Sequence, residues 1–373
     1  MTSGPMVACV DEFIVLGAGA SYGARDSGDA QDTDRPAQGK ALAAALLSYL
    51  DQGEFGISDK SQIDKTREFL RNAASDFEAA MDAVNHKYTA NIDAASVEAV
   101  ANPYVIQSLM DGFMLTHSSF DPRPDLYDDL LTVHEWPAKA LAIISLNYDI
   151  LLEEAALRVS GLPFSAAVEY VGLRGVAHGG RLRVFKPHGS VNWFASPTNR
   201  GSSRARSILA PKSPSLGRLE RDGTLLSIDT DRDIVLEGTR EAIRANFKRA
   251  TDAFYFPIIA TYSPGKPSLG NPSAIHSVRN EVMVALRDNP TAAMTVIGVG
   301  VGERELRRDP FLHALMVENH EGRCVTHVNP YCDDARSLEK AGNLKFNLRE
   351  ETLKEYLAAC GKNVSTVPNR SSR

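Results

Sequence analysis

The stretch FIVLGAGASYGARD, from Phe13 to Asp26, decides the fold prediction. Its first four residues are apolar and stand directly before a glycine turn, which is typical of a buried strand in a parallel sheet. The turn consists of five small residues, Gly17, Ala18, Gly19, Ala20 and Ser21. Small residues let backbone approach a phosphate closely, and a helix that follows directs its first N–H groups at it. The stretch predicts a nucleotide phosphate site, with a tight turn that binds nothing as the alternative.

The same stretch argues against a hydride-transfer cofactor site. The dinucleotide fingerprint has a third glycine three positions after the second one. Tyr22 occupies that position here, and the next glycine is Gly23. The fingerprint also expects a second strand ending in an acidic residue, whereas this chain continues with a polar loop and then a helical pattern. A standard dehydrogenase is therefore not expected.

Composition indicates a soluble globular protein. The chain has 373 residues, 43% of them hydrophobic and 24% charged, with a formal net charge of -6. Because phosphate binding depends on clustered Lys and Arg, this balance predicts no direct nucleic-acid partner. The apolar runs fall short of the roughly 20 residues that cross a bilayer, and no secretory signal pattern opens the chain. We expect a cytoplasmic protein that does not associate with a membrane.

The cysteines give no sign of a metal site. The chain has four of them, Cys9, Cys324, Cys332 and Cys360, and no two form a C-x-x-C pair. Small zinc modules are commonly built from such pairs. The sequence therefore predicts no zinc and no other metal.

Strand and helix patterns alternate along the chain, which predicts an α/β fold with a Rossmann-like, doubly wound and mostly parallel sheet. We expect further strands over 140–146, 182–186, 293–299 and 325–328, and a helix over 303–319. Residues 40–133 show helical spacing and are interpreted as an inserted helical module. Residues 199–222 are interpreted as a basic surface loop rather than sheet. One catalytic domain is expected over 1–345, followed by a C-terminal helix and a frayed tail over 346–373.

Polar or small residues follow each predicted strand, where ligands of parallel sheets bind. They are Asn147 and Asp149 after the second strand, His188 after the third, Gly298 and Gly300 after the fourth, and Asn329 after the fifth. His188 is a candidate base, since an imidazole can accept a proton at neutral pH. Structural roles are the alternatives: Asp149 as a helix cap, Asn147 and Asn329 as turn residues, and His188 as a buried hydrogen-bonding group.

Six segments taken together resemble the sirtuin superfamily, in particular its bacterial sirtuin-like branch in antiphage defence proteins. The segments are GAGAS, DFEAAMDAV, ISLNYDILLE, KPHGSVNWF, TVIGVGVGERE and HVNP, and the resemblance covers roughly Phe13 to Asn329. The resemblance implies that residues 17–21 hold the phosphates of NAD. It also implies that Asn147 and Asp149 contact the nicotinamide ribose, that His188 is the catalytic histidine, that Gly298 and Gly300 lie near the adenosine, and that Asn329 contacts the adenine ribose.

Two departures from the family pattern narrow the expected activity. Deacylating sirtuins carry a zinc module with two C-x-x-C pairs, and the segment after Ile297 lacks their usual hydroxyl residue. The resemblance therefore implies an NAD hydrolase that consumes NAD as substrate and depletes it during antiphage defence. An NAD-dependent protein deacylase or ADP-ribosyltransferase is one alternative. A non-catalytic NAD or ADP-ribose sensor or assembly scaffold is another.

The resemblance also suggests how such an enzyme is controlled. The sirtuin-like region takes up nearly the whole chain, and no second sensor domain is evident. We therefore expect a homo-oligomer activated by a separate protein, such as a HerA-type ring ATPase or a short Argonaute.

Overall fold

The computed structural model describes a defined set of residue ranges. They are 9–24, 40–52, 60–72, 126–173, 180–195, 214–215, 218–221, 224–227, 234–236, 256–260, 268–269, 272–318, 323–342 and 345–364.

The strands are numbered in chain order. They are β1 (Glu12–Leu16), β2 (Leu141–Ser145), β3 (Val168–Tyr170), β4 (Leu182–Phe185), β5 (Gly189–Ala195), β6 (Pro214–Ser215), β7 (Arg218–Arg221), β8 (Thr224–Ser227), β9 (Ile234–Leu236), β10 (Phe256–Ala260), β11 (Ser268–Leu269), β12 (Ala293–Ile297), β13 (Val325–Val328) and β14 (Phe346–Arg349).

The helices are numbered in the same way. They are α1 (Ala18–Ala24), α2 (Lys40–Asp51), α3 (Lys60–Asn72), α4 (Leu126–Val133), α5 (Leu151–Ser160), α6 (Phe164–Ala167), α7 (Pro272–Asp288), α8 (Glu303–Arg308), α9 (Pro310–His313), α10 (Asp333–Gly342) and α11 (Leu353–Val364), and a π-helical turn covers Ala314–Glu318.

The main sheet has seven strands in the order β14-β13-β12-β1-β2-β4-β3. Every neighbouring pair is parallel. All five residues of β2, and the last four of β1, are buried. Because successive side chains of a strand point to opposite faces, this burial means that both faces of the sheet are covered. The predicted Rossmann-like parallel fold is confirmed.

The strand order contains a topological switch point. The chain passes from β1 to β2 on one side and later returns to β12 on the other side of β1. Connections that leave a parallel sheet in opposite directions open a crevice at the carboxyl ends of the two strands, which is where such folds bind ligands. The crevice between β1 and β12 is therefore the candidate site.

Two smaller antiparallel sheets accompany the main one. The first has the order β11-β10-β5-β9, and the second has the order β6-β7-β8. β5 begins at Gly189, directly after His188. His188 therefore lies in the short connection between the parallel sheet and the antiparallel sheet.

The prediction that 199–222 lacks sheet is wrong for its described part, since β6 and β7 fall within it. Arg221 of β7 pairs with Thr224 of β8, and the two residues between them are Asp and Gly. That dipeptide is favoured in two-residue hairpins. The sequence interpretation gave weight to the charge of the segment and overlooked this local signal.

The predicted continuous helix over 303–319 is also wrong. The chain forms α8, leaves the helical conformation at Asp309, and restarts as α9 with Pro310 at its first position. Proline has no N–H to continue a helix and is favoured at its first turn. Strands β3 and β14 were not predicted, and β14 extends the sheet into the region where only a helix and a tail were expected.

The described parts of 40–133 are helical, as α2, α3 and α4. Residues 53–59 and 73–125 of the predicted module lie outside the described residues, as does most of the polar loop predicted after the glycine turn, residues 24–40. Among the helices that are described, none has both the length and the apolar character needed to cross a membrane.

Candidate functional site

The glycine turn after β1 packs directly on the loop after β12. Gly19 N donates to Gly298 O at 3.1 Å, and Gly17 N donates to Ile297 O at 2.9 Å. Within the turn, Ala20 N donates to Gly17 O at 2.9 Å. These three N–H groups are thus engaged inside the protein. Ala18 and Gly19 are exposed, so the turn presents its small outer edge to the crevice.

Close approach of the two loops explains the glycines. A Cβ on Gly17 would lie 2.4 Å from Gly298 O, and one on Gly298 would lie 2.2 Å from Ala20 N. Gly298 also has φ +62°, a backbone conformation that disfavours side chains. Gly300 differs, because the nearest atom to its Cβ position is Glu305 Cγ at 3.5 Å. Gly17 and Gly298 are therefore required for the loops to meet, whereas Gly300 is not.

Asn147 fastens the glycine turn to the exit of β2. Its Nδ2 donates to Gly17 O at 2.8 Å and to Ser21 Oγ at 2.7 Å. Ser21 Oγ lies 2.9 Å from the hydroxyl of Tyr127 on α4. Asn147 and Ser21 are both buried. The side chain that the sequence assigned to a ribose thus has a definite role in shaping the turn.

His188 lies beside Asn147, at the exit of β4. Its Nδ1 is 3.0 Å from Leu146 O, the carbonyl of the residue before Asn147. Its Nε2 is 2.8 Å from Oδ2 of Asp309, and both side chains are 3% exposed. The rings of Tyr148 and Phe311 lie 6.3 and 6.4 Å from the imidazole. The imidazole therefore sits in a closed environment with an acceptor at each nitrogen.

Asp309 is the site residue that sequence reasoning missed. Its Oδ1 accepts hydrogen bonds from Phe311 N and Leu312 N, both at 3.1 Å, and so caps α9. An Asp followed by Pro is a helix-start signal that could have found it, because Asp favours the cap and Pro the first helical position. Reading 303–319 as one helix concealed that signal.

Arg279 of α7 supplies a positive charge close to His188 and Asp309. Its Nε donates to Pro187 O at 2.9 Å, next to His188. Burial lowers the pKa of the Arg279 guanidinium, while the negative charge of the Asp309 carboxylate acts in the opposite direction. An arginine remains protonated despite such a shift, so Arg279 balances the carboxylate of Asp309.

Asp149 is anchored at the start of α5. Its Oδ1 accepts a hydrogen bond from Leu151 N, the first residue of α5, at 3.2 Å. The N-cap position itself is Ile150, so Asp149 contacts the start of the helix from one residue before the predicted cap. Its carbonyl accepts a short hydrogen bond from Lys186 Nζ. Asp149 is 4% exposed, so its carboxylate is buried in the protein.

A buried ion pair lies beneath this site. Lys186 Nζ is 2.9 Å from Glu153 Oε1, and the two side chains are 0% and 1% exposed. Tyr170 donates its hydroxyl to Glu153 at 2.9 Å, and Lys186 donates to Ser190 at 3.1 Å. Burial raises the pKa of Glu153, although Lys186 opposes the shift. The pair joins the exits of β2 and β4 and thereby sets the relative positions of Asn147 and His188.

Asn329 lies at the β13 exit, on the other side of β12. Its Nδ2 donates to Val299 O at 3.1 Å, and its Oδ1 accepts from Tyr331 N at 3.0 Å. Both ends of the amide are therefore engaged in the turn, in keeping with the predicted structural alternative. Tyr331 next to it is 82% exposed.

The structure thus brings most of the predicted residues into one connected group. Residues 17–21, Gly298, Asn147 and His188 are linked by direct hydrogen bonds or packing, and Asn329 joins them through the loop after β12. Gly300 takes no part in these contacts. Among the described residues, no group of three or more His, Cys, Asp or Glu side chains could hold a metal ion. Fold and site together define a Rossmann-like α/β protein with its candidate ligand site at the switch point.

Comparison with solved structures finds similarity to Sir2 homologues. A Sir2 homologue in complex with NAD aligns at 14% identity, with 95% of this chain and 89% of that chain covered and a TM-score of 0.35. A mutant Sir2 homologue with 2'-O-acetyl ADP ribose aligns at 13% identity, with 96% and 94% covered and a TM-score of 0.36. TM-scores of this size do not establish a common fold, so the fold class rests on strand order and register. No family model and no curated protein matches the chain.

Proposed function

We propose that this protein is an NAD⁺ hydrolase that cleaves the bond between nicotinamide and ribose. The observation that carries the proposal is that the glycine turn, Asn147 and His188 meet at the carboxyl edge of the parallel sheet, next to the switch point. A small-residue turn suits a pyrophosphate, an imidazole suits proton transfer, and the crevice is where such sheets hold nucleotides. The sequence resemblance to the sirtuin superfamily supplies NAD as the nucleotide.

In the proposed reaction, water attacks C1' of the ribose. The bond to the nicotinamide nitrogen breaks, and its electron pair leaves with nicotinamide. The transition state resembles an oxocarbenium ion, so the protein has to hold the sugar, position the water and accept a proton. Ala18 and Gly19 form the edge against which the phosphates lie, and His188 accepts the proton. Asn147 keeps the turn in place and orients the ribose or the water.

Hydrolysis is favoured over protein deacylation by the sequence. In deacylating sirtuins a zinc module with two C-x-x-C pairs helps to form the acyl-lysine channel. The four cysteines of this chain form no such pair. The biological role follows from the resemblance alone: depletion of NAD in antiphage defence, by a cytoplasmic homo-oligomer that a separate protein partner activates.

The proposal is tested by incubating the purified full chain with NAD⁺, with and without the product of the neighbouring gene. Release of nicotinamide and ADP-ribose, followed by chromatography, is the expected result. His188→Ala and Asn147→Ala should each lower turnover at least 100-fold. His276→Ala, at an exposed histidine of α7, is the matched control and should leave turnover unchanged. No nicotinamide release under any of these conditions, or full turnover in His188→Ala, contradicts the proposal.

A non-catalytic NAD or ADP-ribose sensor is the second candidate. It is favoured by one observation: both ring nitrogens of His188 already face acceptors, Leu146 O and Asp309. Calorimetry separates the two candidates, because tight NAD binding without turnover under every activating condition would establish the sensor.

A further inference from the structure

His188 and Asp309 form a buried pair that the proposed reaction has not yet used. They come from separate parts of the fold, the β4 exit and the start of α9, and meet at 2.8 Å between Nε2 and Oδ2. Each side chain is 3% exposed, so water screens their interaction little. A carboxylate at this distance from an imidazole fixes the orientation of the ring and favours a proton on the nearer nitrogen.

The contacts of the ring define where its protons are. A backbone carbonyl can only accept, so Nδ1 carries a hydrogen and donates it to Leu146 O. Nε2 faces a carboxylate oxygen, which accepts a proton from the ring when the ring is an imidazolium. Without a proton between them, the lone pair of Nε2 would face a negative oxygen. A proton on Nε2 removes this repulsion, so the 2.8 Å contact favours a protonated ring in the ligand-free site.

We propose that Asp309 is a positioning residue for His188: it fixes the imidazole from the side opposite Leu146 and retains a proton on Nε2 in the ligand-free protein. The catalytic part of this inference rests on the proposed hydrolase function. His188 becomes a base once the shared proton has left to solvent. The water that attacks C1' then passes its proton to Nε2, while the electron pair of the broken bond departs with nicotinamide.

The other charged and titratable groups around the ring do not replace Asp309. Arg279 of α7 donates to Pro187 O and balances the carboxylate. Tyr148 lies beside the ring, with centroids 6.3 Å apart, and Phe311 covers it from α9 without a charge. Asp309 brings a negative charge to within 2.8 Å of Nε2.

Asp309 also has a structural task, which the choice of variants separates from its effect on His188. Its Oδ1 caps α9 through Phe311 N and Leu312 N, while Oδ2 faces the ring. Asparagine caps a helix about as well as aspartate, so Asp309→Asn keeps the cap and removes the charge. Asp309→Ala removes both. If both variants change the behaviour of His188 while Asp309→Asn keeps the stability of the wild-type protein, the change comes from the lost charge.

Two measurements on the full chain test the inference. The first is independent of activity: nitrogen-15 NMR of histidine-labelled protein, with the His188 signal assigned through His188→Gln among the nine histidines. Near neutral pH, wild-type His188 should show the imidazolium signature, and Asp309→Asn should show a neutral ring. A neutral His188 in the wild-type protein at that pH overturns the proposal, whatever the enzyme does.

The second measurement is the pH profile of NAD⁺ turnover. Loss of a negative charge at hydrogen-bonding distance should move the acidic limb of Asp309→Asn about one to three pH units lower. Maximal turnover should fall about 10- to 100-fold as the ring loses its fixed orientation. An unshifted acidic limb in a folded Asp309→Asn protein overturns the proposal. Absence of turnover in the wild-type protein counts against the hydrolase function instead, and the NMR result then decides the role of Asp309.

Discussion

Asn147 shows how much one side chain contributes at the residue scale. Its amide nitrogen donates to Gly17 O and to Ser21 Oγ, and these bonds fasten the turn after β1 to the exit of β2. The sequence suggested either a turn residue or a ligand to the ribose. The structure adds a third role, since the amide holds another segment in place.

Asn147→Asp tests this role with little change of shape. The substitution removes both donated hydrogens and places a carboxylate oxygen against Gly17 O. We expect a loss of about 1 to 3 kcal/mol of unfolding free energy and at least a tenfold loss of NAD⁺ turnover. Urea denaturation and the nicotinamide assay measure the two effects. Asn347→Asp, at an exposed position of β14, is the control and should change the unfolding free energy by less than about 0.5 kcal/mol.

The two glycines after β12 allow a matched comparison. Gly298→Ala places a methyl group 2.2 Å from Ala20 N and imposes φ +62° on a residue with a Cβ. The glycine turn must then move, at a cost of about 1 to 3 kcal/mol for the strain alone. Gly300→Ala should be tolerated, because its Cβ would make an ordinary contact with Glu305. Thermal unfolding of both variants tests the comparison, and equal effects would show that the two loops do not pack as described.

At the scale of secondary-structure elements, the sequence predicted most of the central strands because each is a short apolar run bounded by turn residues. It did not predict β14, whose residues are only partly buried or exposed. An edge strand depends on pairing with its neighbour, here β13, more than on a continuous apolar pattern. The interruption at Asp309 was missed because the spacing of apolar residues continues through the break.

The end of α7 is held by an arginine from another element. Arg323, just before β13, donates from Nη1 to Asn289 O and Ala292 O and from Nη2 to Leu286 O, at 2.8 to 3.0 Å. Its guanidinium also lies over the ring of Phe13, 5.4 Å from the centroid. Leu286 O lies in the last turn of α7, where carbonyls lack partners within the helix, and Asn289 O and Ala292 O lie in the segment that follows it. A buried cation stabilises these carbonyls.

Arg323→Met should therefore destabilise the protein by about 2 to 4 kcal/mol, since three buried carbonyls lose a charged donor. Chemical denaturation measures the loss. Arg287→Met removes an arginine from the last turn of the same helix, where the side chain is 72% exposed. That control should change stability by less than about 1 kcal/mol, and a similar loss in both variants would mean that the carbonyl contacts of Arg323 contribute little.

At the scale of the whole molecule, one carboxylate connects elements from both ends of the chain. Glu12 of β1 accepts a hydrogen bond from Thr295 of β12 at 2.8 Å and contacts Nδ1 of His134, after α4, at 2.9 Å. The hydroxyl of Tyr356 on α11 lies 3.4 Å from the other nitrogen of His134. Burial by itself would raise the pKa of Glu12, but His134 and Thr295 together bring it below its usual value.

This network predicts a pH dependence of stability. A carboxylate with a lowered pKa stabilises the folded state at pH values above its unfolded-state pKa, and the contribution is lost as the pH falls through the folded-state pKa. Glu12→Gln should therefore unfold more easily at neutral pH and depend less on pH in the acidic range. Urea titrations over that range test this, with Glu303→Gln, whose side chain is 77% exposed, as the control. An unchanged acid profile in Glu12→Gln would contradict the prediction.

The sequence by itself determined the class of fold and the glycine turn, because both depend on local patterns: short apolar runs, small residues and helical spacing. It also identified Asn147 and His188 as candidates, because each directly follows a strand. Only the tertiary structure decided that Gly17 and Gly298 must both be small for their loops to pack, and that His188 faces Asp309. The physical reason is distance along the chain, since each of these contacts joins residues that only the parallel sheet and the packing of α9 bring together.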